Sequence, residues 1–497
     1  MSLLRMVHKL TQKKQPKKVP PAPLRKKKEF VTLQAIKEKL GDIDDVVYQK
    51  IRTSEGIATI IYYRSLIEQE ILLQMVINPL LQQEETIVHS TEPLDKEDLS
   101  NVISLLTQGF TIVFIHKENV FFSLNTVSMP QRSISISDKE SSVIGPQDFF
   151  TEVMDTNLSL VKRRIHSSTL KSKNYTIGAE SNTKVSVLYL DNIVNKENLD
   201  KVITKVEENK DYTDFYDVSI LMQLMEDQPL SPFPQYNMTI RADLVTKYLL
   251  DGRVVVMMDN SPEAIICPTS FFELFVPTED YYNRWTSSSL LRMLRFFGFF
   301  VTIILTPTYI SALTFHPELM PFEVLVNLQE SRERVPFPPV IEVLFIELVI
   351  EILREAGSRM PAKIGQTIGI VGGIVIGTAA VEAGLISNVL VVLVAISALL
   401  SFLPPNYLIS NTSRFIRYVF ILSAGMFGMY GQMAAFALLF IHLLNLTSLG
   451  TPYMTPGIPR TWSDLLDNVV RAPISLLRFK KGMSRSHQNK IRPLDEE

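Results

Sequence analysis

The stretch IGQTIGIVGGIVIGTAAVEAGLISNVLVVLVAISALLSFLPPNYLISNTS, residues 364–413, holds a single charged side chain, Glu382. The hydrocarbon core of a bilayer is about 30 Å thick, and ~20 apolar residues in helical conformation cross it. An almost uncharged run of this length exceeds what the core of a soluble domain can wrap, so it reads as membrane. A carboxylate in hydrocarbon is costly, which makes Glu382 either a solvated residue at the membrane edge or one that faces a polar cavity.

Working outward, the first 290 residues carry charges throughout, and the apolar residues concentrate after Arg295. The averages of the 497-residue chain (46% hydrophobic, 21% charged, net charge −2) conceal this asymmetry. They also conceal two basic ends. Met1 to Lys28 holds ten Lys or Arg and no acid, and Arg471 to Arg492 holds seven and no acid. Residues 1–28, rich in Lys and Pro, read as a disordered tail, either simply solvated or held electrostatically to anionic lipid. No folded basic module with interleaved aromatics follows, so nucleic acid is not an expected partner. Cys267 is the only cysteine, which excludes an intrachain disulfide and fits a reducing compartment. The basic N-terminus is not followed by an apolar stretch of signal-peptide type, so insertion falls to the internal apolar segments.

Residues 29–165 have a mixed α/β pattern. IATIIYY (57–63), GFTIVFIH and NVFFSLNTV read as strands, and SLIEQEILLQMVINPLL (65–81) has helical spacing. A further helix is expected to open at Pro93 and end at Gly109. Residues 144–165 read as a helix linking to a second α/β unit, with Lys162, Arg163 and Arg164 suited to its C-terminal dipole. In that second unit, 166–285, strands are expected at 184–191 and 253–259, and helices at 195–208, 215–226 and 240–250. The clustered acids Asp42, Asp44 and Asp45 read as a solvated turn. Tyr281, Tyr282 and Trp285 just before Arg292 and Arg295 form an interface signature at the edge of the apolar half.

Residues 286–450 read as a helical membrane domain with spans near 296–315, 364–386, 389–403 and 418–446, followed by a basic tail, 451–497. The fourth is longer than a span needs, and Gly425, Gly428 and Gly431 could permit a kink in it. Four crossings put both basic ends in the cytoplasm. That count leaves Arg332, Arg334, Arg354, Arg359 and Lys363 in an outside loop, so either acids pair with them or the count is off by one. The expected fold is therefore multidomain: an N-terminal α/β soluble region of two subdomains, then an all-α helical membrane domain.

Within that loop, residues 340–356 read as a helix on which Glu347, Glu351 and Glu355 recur every four residues on a narrow face. One reading is an amphipathic helix at the membrane surface, with Glu351–Arg354 and Glu355–Arg359 ion pairs. The other is a carboxylate stripe facing water, which an oligomer would repeat as acidic rings favouring cations. With Glu382, these are the candidate polar-path residues. Gly369, Gly373 and Gly377 form a doubled G-x-x-x-G, a flat face for close helix approach, either within the chain or between subunits. There is no P-loop, H-E-x-x-H, G-x-S-x-G or G-x-G-x-x-G. Seven scattered histidines and one cysteine offer no metal-ligand spacing. No catalytic residues, metal or cofactor are expected, and the chain reads as non-enzymatic.

Several long segments together resemble one family: IGPQDFFTEVMDTNLSLVKRRI, LLDGRVVVMMDNSPEAIICPTSFFELF, EDYYNRW, SRERVPFPPVIEVLFIELVIEILREAGSRMP and IGQTIGIVGGIVIGTAAVEAGLIS. They look like the A subunits of bacterial spore germinant receptors, the GerA family. The resemblance covers roughly residues 30–480 and includes Arg332-Glu333-Arg334-Val335-Pro336-Phe337-Pro338-Pro339. It implies a multi-pass protein of the spore inner membrane that assembles with itself, with a transporter-like B subunit and with a lipoprotein C subunit. The nutrient site would lie on the B subunit, and the A subunit would form a ring that conducts ions. A paralogous group acts beside the dipicolinic-acid release machinery, so an accessory scaffold is the alternative. A stand-alone secondary transporter is a third reading, which the absence of matching halves disfavours.

Overall fold

The computed structural model describes residues 30–41, 43–53, 56–82, 93–127, 140, 144–359, 377–458 and 467–473. The N-terminal region is mixed α/β and is built on two antiparallel sheets. In the first, β1 (Val46–Thr53), β2 (Gly56–Tyr63), β3 (Phe110–Ile115) and β4 (Val120–Asn125) pair in sequence order. Both faces are covered, and the two-residue period of a strand separates them. Ile61, Tyr63, Ile112, Phe114 and Phe121 pack on helices α1 (Leu33–Leu40) and α2 (Leu99–Thr107). Ala58, Ile60, Val113 and Phe122 face the helical run 69–82.

The second sheet has the order β5 (Leu170–Ile177), β6 (Thr183–Leu190), β8 (Val254–Met258), β9 (Ala264–Cys267), β7 (Asn237–Thr239). Val185, Val187, Val254, Val256 and Ile265 meet α4 (Lys196–Glu208) and α5 (Val218–Met225). Leu188, Leu190, Val255 and Ile266 meet α3 (Met154–Lys162) and α6 (Ala242–Leu250).

Three expectations are corrected in this region. The helix expected from Pro93 begins at Leu99, because the Asp98 carboxylate accepts from the Asn101 N–H at 3.0 Å and caps it there. The linking helix is confined to Met154–Lys162. Residues before it pair with the edge of the second sheet, with Phe150 N–H donating to the Ile240 carbonyl at 2.7 Å. Asp45 is buried rather than solvated: it pairs with Lys162 Nζ and accepts from Ser65 Oγ at 2.6 Å, tying the first sheet to α3.

The C-terminal half is helical: α7 (Trp285–Thr314), α8 (Phe322–Ser331), α9 (Pro339–Ser358), α10 (Gly377–Glu382), α11 (Asn388–Ser401) and α12 (Tyr407–Asn445). Among the described residues, α7 and α12 are long and apolar enough to cross a membrane. The base of α7 is fixed to the α/β region. Arg292 is fully buried and donates to Asp280 Oδ2 at 3.0 Å and to the Asp467 carbonyl at 2.8 Å.

The expected fourth span is corrected most. At Gly428 the backbone leaves the helix (φ 59°, ψ −140°), a region essentially restricted to glycine. A Cβ on Gly431 would run into the Ser423 carbonyl oxygen, although eight residues of straight helix span about 12 Å. Both ends of α12 also reach the same loop of the α/β region. Thr412 Oγ1 donates to the Pro232 carbonyl at 2.5 Å, and His442 Nε2 lies 2.8 Å from Ser231 Oγ. The element is thus a helical hairpin with its tip at Gly428. Its limbs, Tyr407–Phe427 and Met429–Asn445, are about 31 and 25 Å long.

The other helices align with this hairpin. Phe315, just past the end of α7, lies against Gly428 at the tip. Helix α9 starts with Val340 against Gly425 and ends with Arg354 stacked over Phe402, back beside the α/β region. Arg354 and Arg359 therefore lie at the α/β end of the bundle, while Arg332 stays towards the other end with Glu342. Helix α11, also returning, is only about 21 Å long. It places Ser387 near Tyr309 and Leu403 near Gly298. The expected span 364–386 lies outside the described residues up to Ile376, and Gly377–Glu382 is helical.

Candidate functional site: a charged core in the helical bundle

Helix α9 forms where Pro336, Pro338 and Pro339 stop the preceding backbone and Pro339 pre-sets the first helical φ. Its 20 residues carry five charges among Val, Ile, Leu and Phe. Ile341, Phe345, Leu348 and Ile352, at helical spacing, are exposed and form an apolar outer face. Glu342, Val343, Ile346 and Glu347 are buried against the rest of the bundle. The charged face thus turns inward, towards α7 and the first limb of α12.

Glu347 Oε2 lies 2.9 Å from Arg417 Nη2, both side chains being essentially inaccessible. Thr306 Oγ1 of α7 approaches Glu347 Oε1 at 3.4 Å. Arg417 Nη1 donates to Ser397 Oγ at 2.9 Å, and Ser397 Oγ donates to the Thr302 carbonyl at 3.1 Å. One helical turn further on, Glu351 meets Arg414 Nη1 at 2.5 Å and Arg354 Nη1 at 3.6 Å. Arg414 also donates to Asn411 Oδ1, and Arg354 Nη2 donates to Ser401 Oγ at 3.0 Å. Towards the tip, Glu342 pairs with Arg332 at 3.0 Å and accepts from Ser387 N–H at 2.6 Å.

This core has a cost and a sign. Burying ions incurs several kcal/mol each in lost hydration, and close pairing roughly returns that, so a buried pair is weak evidence for stability. Inside a membrane-length bundle, such groups mark function more often than framework. Around Glu347 and Glu351, two carboxylates face three guanidiniums, those of Arg354, Arg414 and Arg417. The arrangement can hold or move charge across an otherwise apolar bundle. Among the described residues, no group of His, Cys, Asp and Glu is placed to hold a metal.

The sequence-predicted residues fall into different surroundings. Glu347 is buried and Glu351 half-buried. Glu355 is exposed and pairs with Arg359 at 2.6 Å, so the stripe grades from core to surface. Both expected ion pairs of α9 are present. Glu382 ends α10 and is exposed, apart from this core. Gly369 and Gly373 lie outside the described residues. At Gly377, among the described residues, nothing lies within 4 Å of where a Cβ would stand. The sequence reading missed Arg414, Arg417 and Glu342. Arg414 and Arg417 sit one turn apart in a stretch whose Ile409, Ile416, Phe420 and Ile421 have helical spacing, a signal that a span drawn from Tyr418 cuts away.

Comparison with known proteins places this geometry in context. The family model described as Bacillus/Clostridium GerA spore germination protein matches residues 34–482. The chain is 40% identical over 466 residues to spore germination protein GerQA of Bacillus cereus, covering 92% of this chain and 93% of that one. It is 36% identical to spore germination protein A1 of Bacillus subtilis (strain 168), covering 90% and 95%. It is also 31% identical to the uncharacterized membrane protein YfkQ of the same organism, covering 91% of each chain. Among solved structures, it is 25% identical to the N-terminal domain of the A subunit of the Bacillus megaterium spore germinant receptor GerK3. That match covers 48% of this chain and 94% of that one, with a TM-score of 0.37. The chain belongs to the GerA family of spore germinant receptor A subunits.

Proposed function

We propose that this GerA-family chain is the A subunit of a nutrient germinant receptor in the spore inner membrane, and that copies of it assemble into a nutrient-gated ion channel. The observation that carries this reading is the charged core, in which Glu347 and Arg417 are buried together inside a bundle of membrane-length helices. A bundle that served only as an anchor would need no such core. In this reading the α/β region and both termini are cytoplasmic, and the tip at Gly428 lies at the outer face. Helix α9 and both limbs of α12 then run through the bilayer rather than along it. Arg354 and Arg359, at the α/β end, then obey the positive-inside preference. A transporter-like B subunit and a lipoprotein C subunit are the implied partners. Nutrient on the B subunit would shift a closed-to-open equilibrium of the A-subunit ring through contacts that differ between the two states. Glu355 and Glu382, exposed in the single chain, are the carboxylates available to line a path between copies, and the Gly369/Gly373/Gly377 face is the proposed packing surface.

The test is nutrient-evoked monovalent cation release from spores that carry E347Q/E351Q/E355Q in place of the native chain, with the amount of the variant in the inner membrane measured in parallel. Slower or absent release at normal protein level is expected. Release at the wild-type rate would remove these carboxylates from the path.

A further inference from the structure

We infer that Arg414 and Arg417 are positioning residues for the acidic helix: they hold the Glu347 and Glu351 carboxylates in a charge-compensated latch, and ion passage requires α9 to part from the first limb of α12. The inference rests on the conduction reading above. Three observations support it.

The first is compensation. Glu347 is 1% and Arg417 0% exposed, so neither water nor a hydrated cation reaches that carboxylate. The second is the segregation of charge by helix. Helix α9 carries Glu342, Glu347, Glu351 and Glu355 against Arg354, and Arg359 just beyond it, whereas the facing part of α12 carries Arg414 and Arg417. While the helices are joined, the core around Glu347 and Glu351 has an excess of positive charge, which opposes cation entry. Once they part, the α9 side keeps a negative excess and becomes a surface that attracts cations. The third is the uneven contact along the two helices. At the tip end, Val340 packs against Gly425, where a Cβ would come within 2.8 Å of it. At the α/β end the contact is ionic, between Glu351 and Arg414. A valine side chain seated on a glycine at one end and a polar latch at the other suit a helix that pivots near Pro338–Val340 and opens towards the α/β region. Arg354, hydrogen-bonded to Ser401, lies at the end that would open.

The test uses the complete receptor in liposomes and reads potassium and chloride efflux without nutrient and then with it. R417Q frees Glu347 from its partner and is expected to raise nutrient-independent potassium efflux on the order of tenfold or more, with chloride efflux unchanged. R414Q is expected to do the same through Glu351. The double variant E347Q/R417Q also lacks the latch but has no freed carboxylate, so its basal potassium efflux should fall back towards the wild-type level. A purely structural role predicts otherwise: R417Q and E347Q/R417Q would leak alike and would pass chloride as readily as potassium. That result would overturn the inference, as would wild-type basal efflux in both R414Q and R417Q at normal assembly. Absence of nutrient-evoked flux in the wild type itself would instead defeat the conduction reading, and this inference with it. If R417Q fails to assemble while R414Q assembles and stays silent, the arginines are framework residues and the inference fails.

Discussion

Lys162 is a buried ammonium whose charge is matched by one carboxylate, Asp45, with Ser65 Oγ 3.0 Å away. Burial lowers its proton affinity and Asp45 restores part of it. Replacing Asp45 by Asn would strand that charge, at a cost of about 3–5 kcal/mol. Denaturant unfolding of the α/β region should register the loss, and a change below about 1 kcal/mol would contradict the assignment. Glu226 behaves differently. Burial pushes its carboxyl from 4.5 up to about 7, the Gln235 N–H opposes this, Asp227 adds to it and Lys205 opposes it. Because the folded form favours the proton, the α/β region should be most stable below about pH 4.5 as far as this group is concerned. It should lose stability as pH rises to about 7, and change little beyond. The Tm of E226Q should lack that decline, and parallel pH profiles for E226Q and wild type would refute it. Asp45, Arg414 and Arg417 share one lesson about legibility. Each was visible in the sequence as a charge, but each takes its meaning from a partner on another element, 117 residues away for Asp45, and periodicity along one segment reports a face without what that face meets.

At the scale of elements, local pattern did most where a segment answers to its own residues. Pro339 and Gly357 placed α9 within two residues of its ends, and short apolar, β-branched runs placed β2, β3, β6 and β8. The edge strand β5 (LKSKNYTI), with Lys171, Ser172, Lys173, Asn174 and Thr176 along it, gave no such signal and takes its conformation from pairing with β6. The α12 hairpin shows the limit from the other side. Gly425, Gly428 and Gly431 were legible as a weak point, but hydropathy runs unbroken through the tip, so the reversal was hidden. Gly428→Ala should be destabilising by about 1–3 kcal/mol from backbone strain alone, and the added methyl would also meet Phe315 Cβ at 2.7 Å. Spin labels on cysteines replacing Phe415 and Leu438, both exposed and one on each limb, measure the hairpin directly. A separation well below the roughly 35 Å that the same stretch of straight helix imposes is expected. A separation of about 35 Å would mean a continuous helix.

At the scale of the whole molecule, the two halves meet at the base of α7. Arg292 gathers Asp280 of the α/β region and Asp467 of the C-terminal segment, while Arg471 donates to the Asn283 carbonyl at 2.6 Å. A ring of phenylalanines lies beside it, with Phe275 5.1 Å from Phe271 and 5.4 Å from Phe299 between ring centres. The α/β region is thus joined to the helix whose Thr302 and Thr306 contact the charged core. The division of the chain into a charged half and an apolar half was plain in the sequence. The placement of α9 was not, because it has the charge of a surface helix, and its buried carboxylates are matched by arginines on other elements, Arg332, Arg414 and Arg417. The most direct test is the cation current of the complete receptor in a planar bilayer, recorded on adding nutrient, for wild type and for E347Q/E351Q/E355Q. A nutrient-evoked, cation-selective current in the wild type that is reduced or less selective in the triple variant is the predicted result; an identical current in both would contradict it.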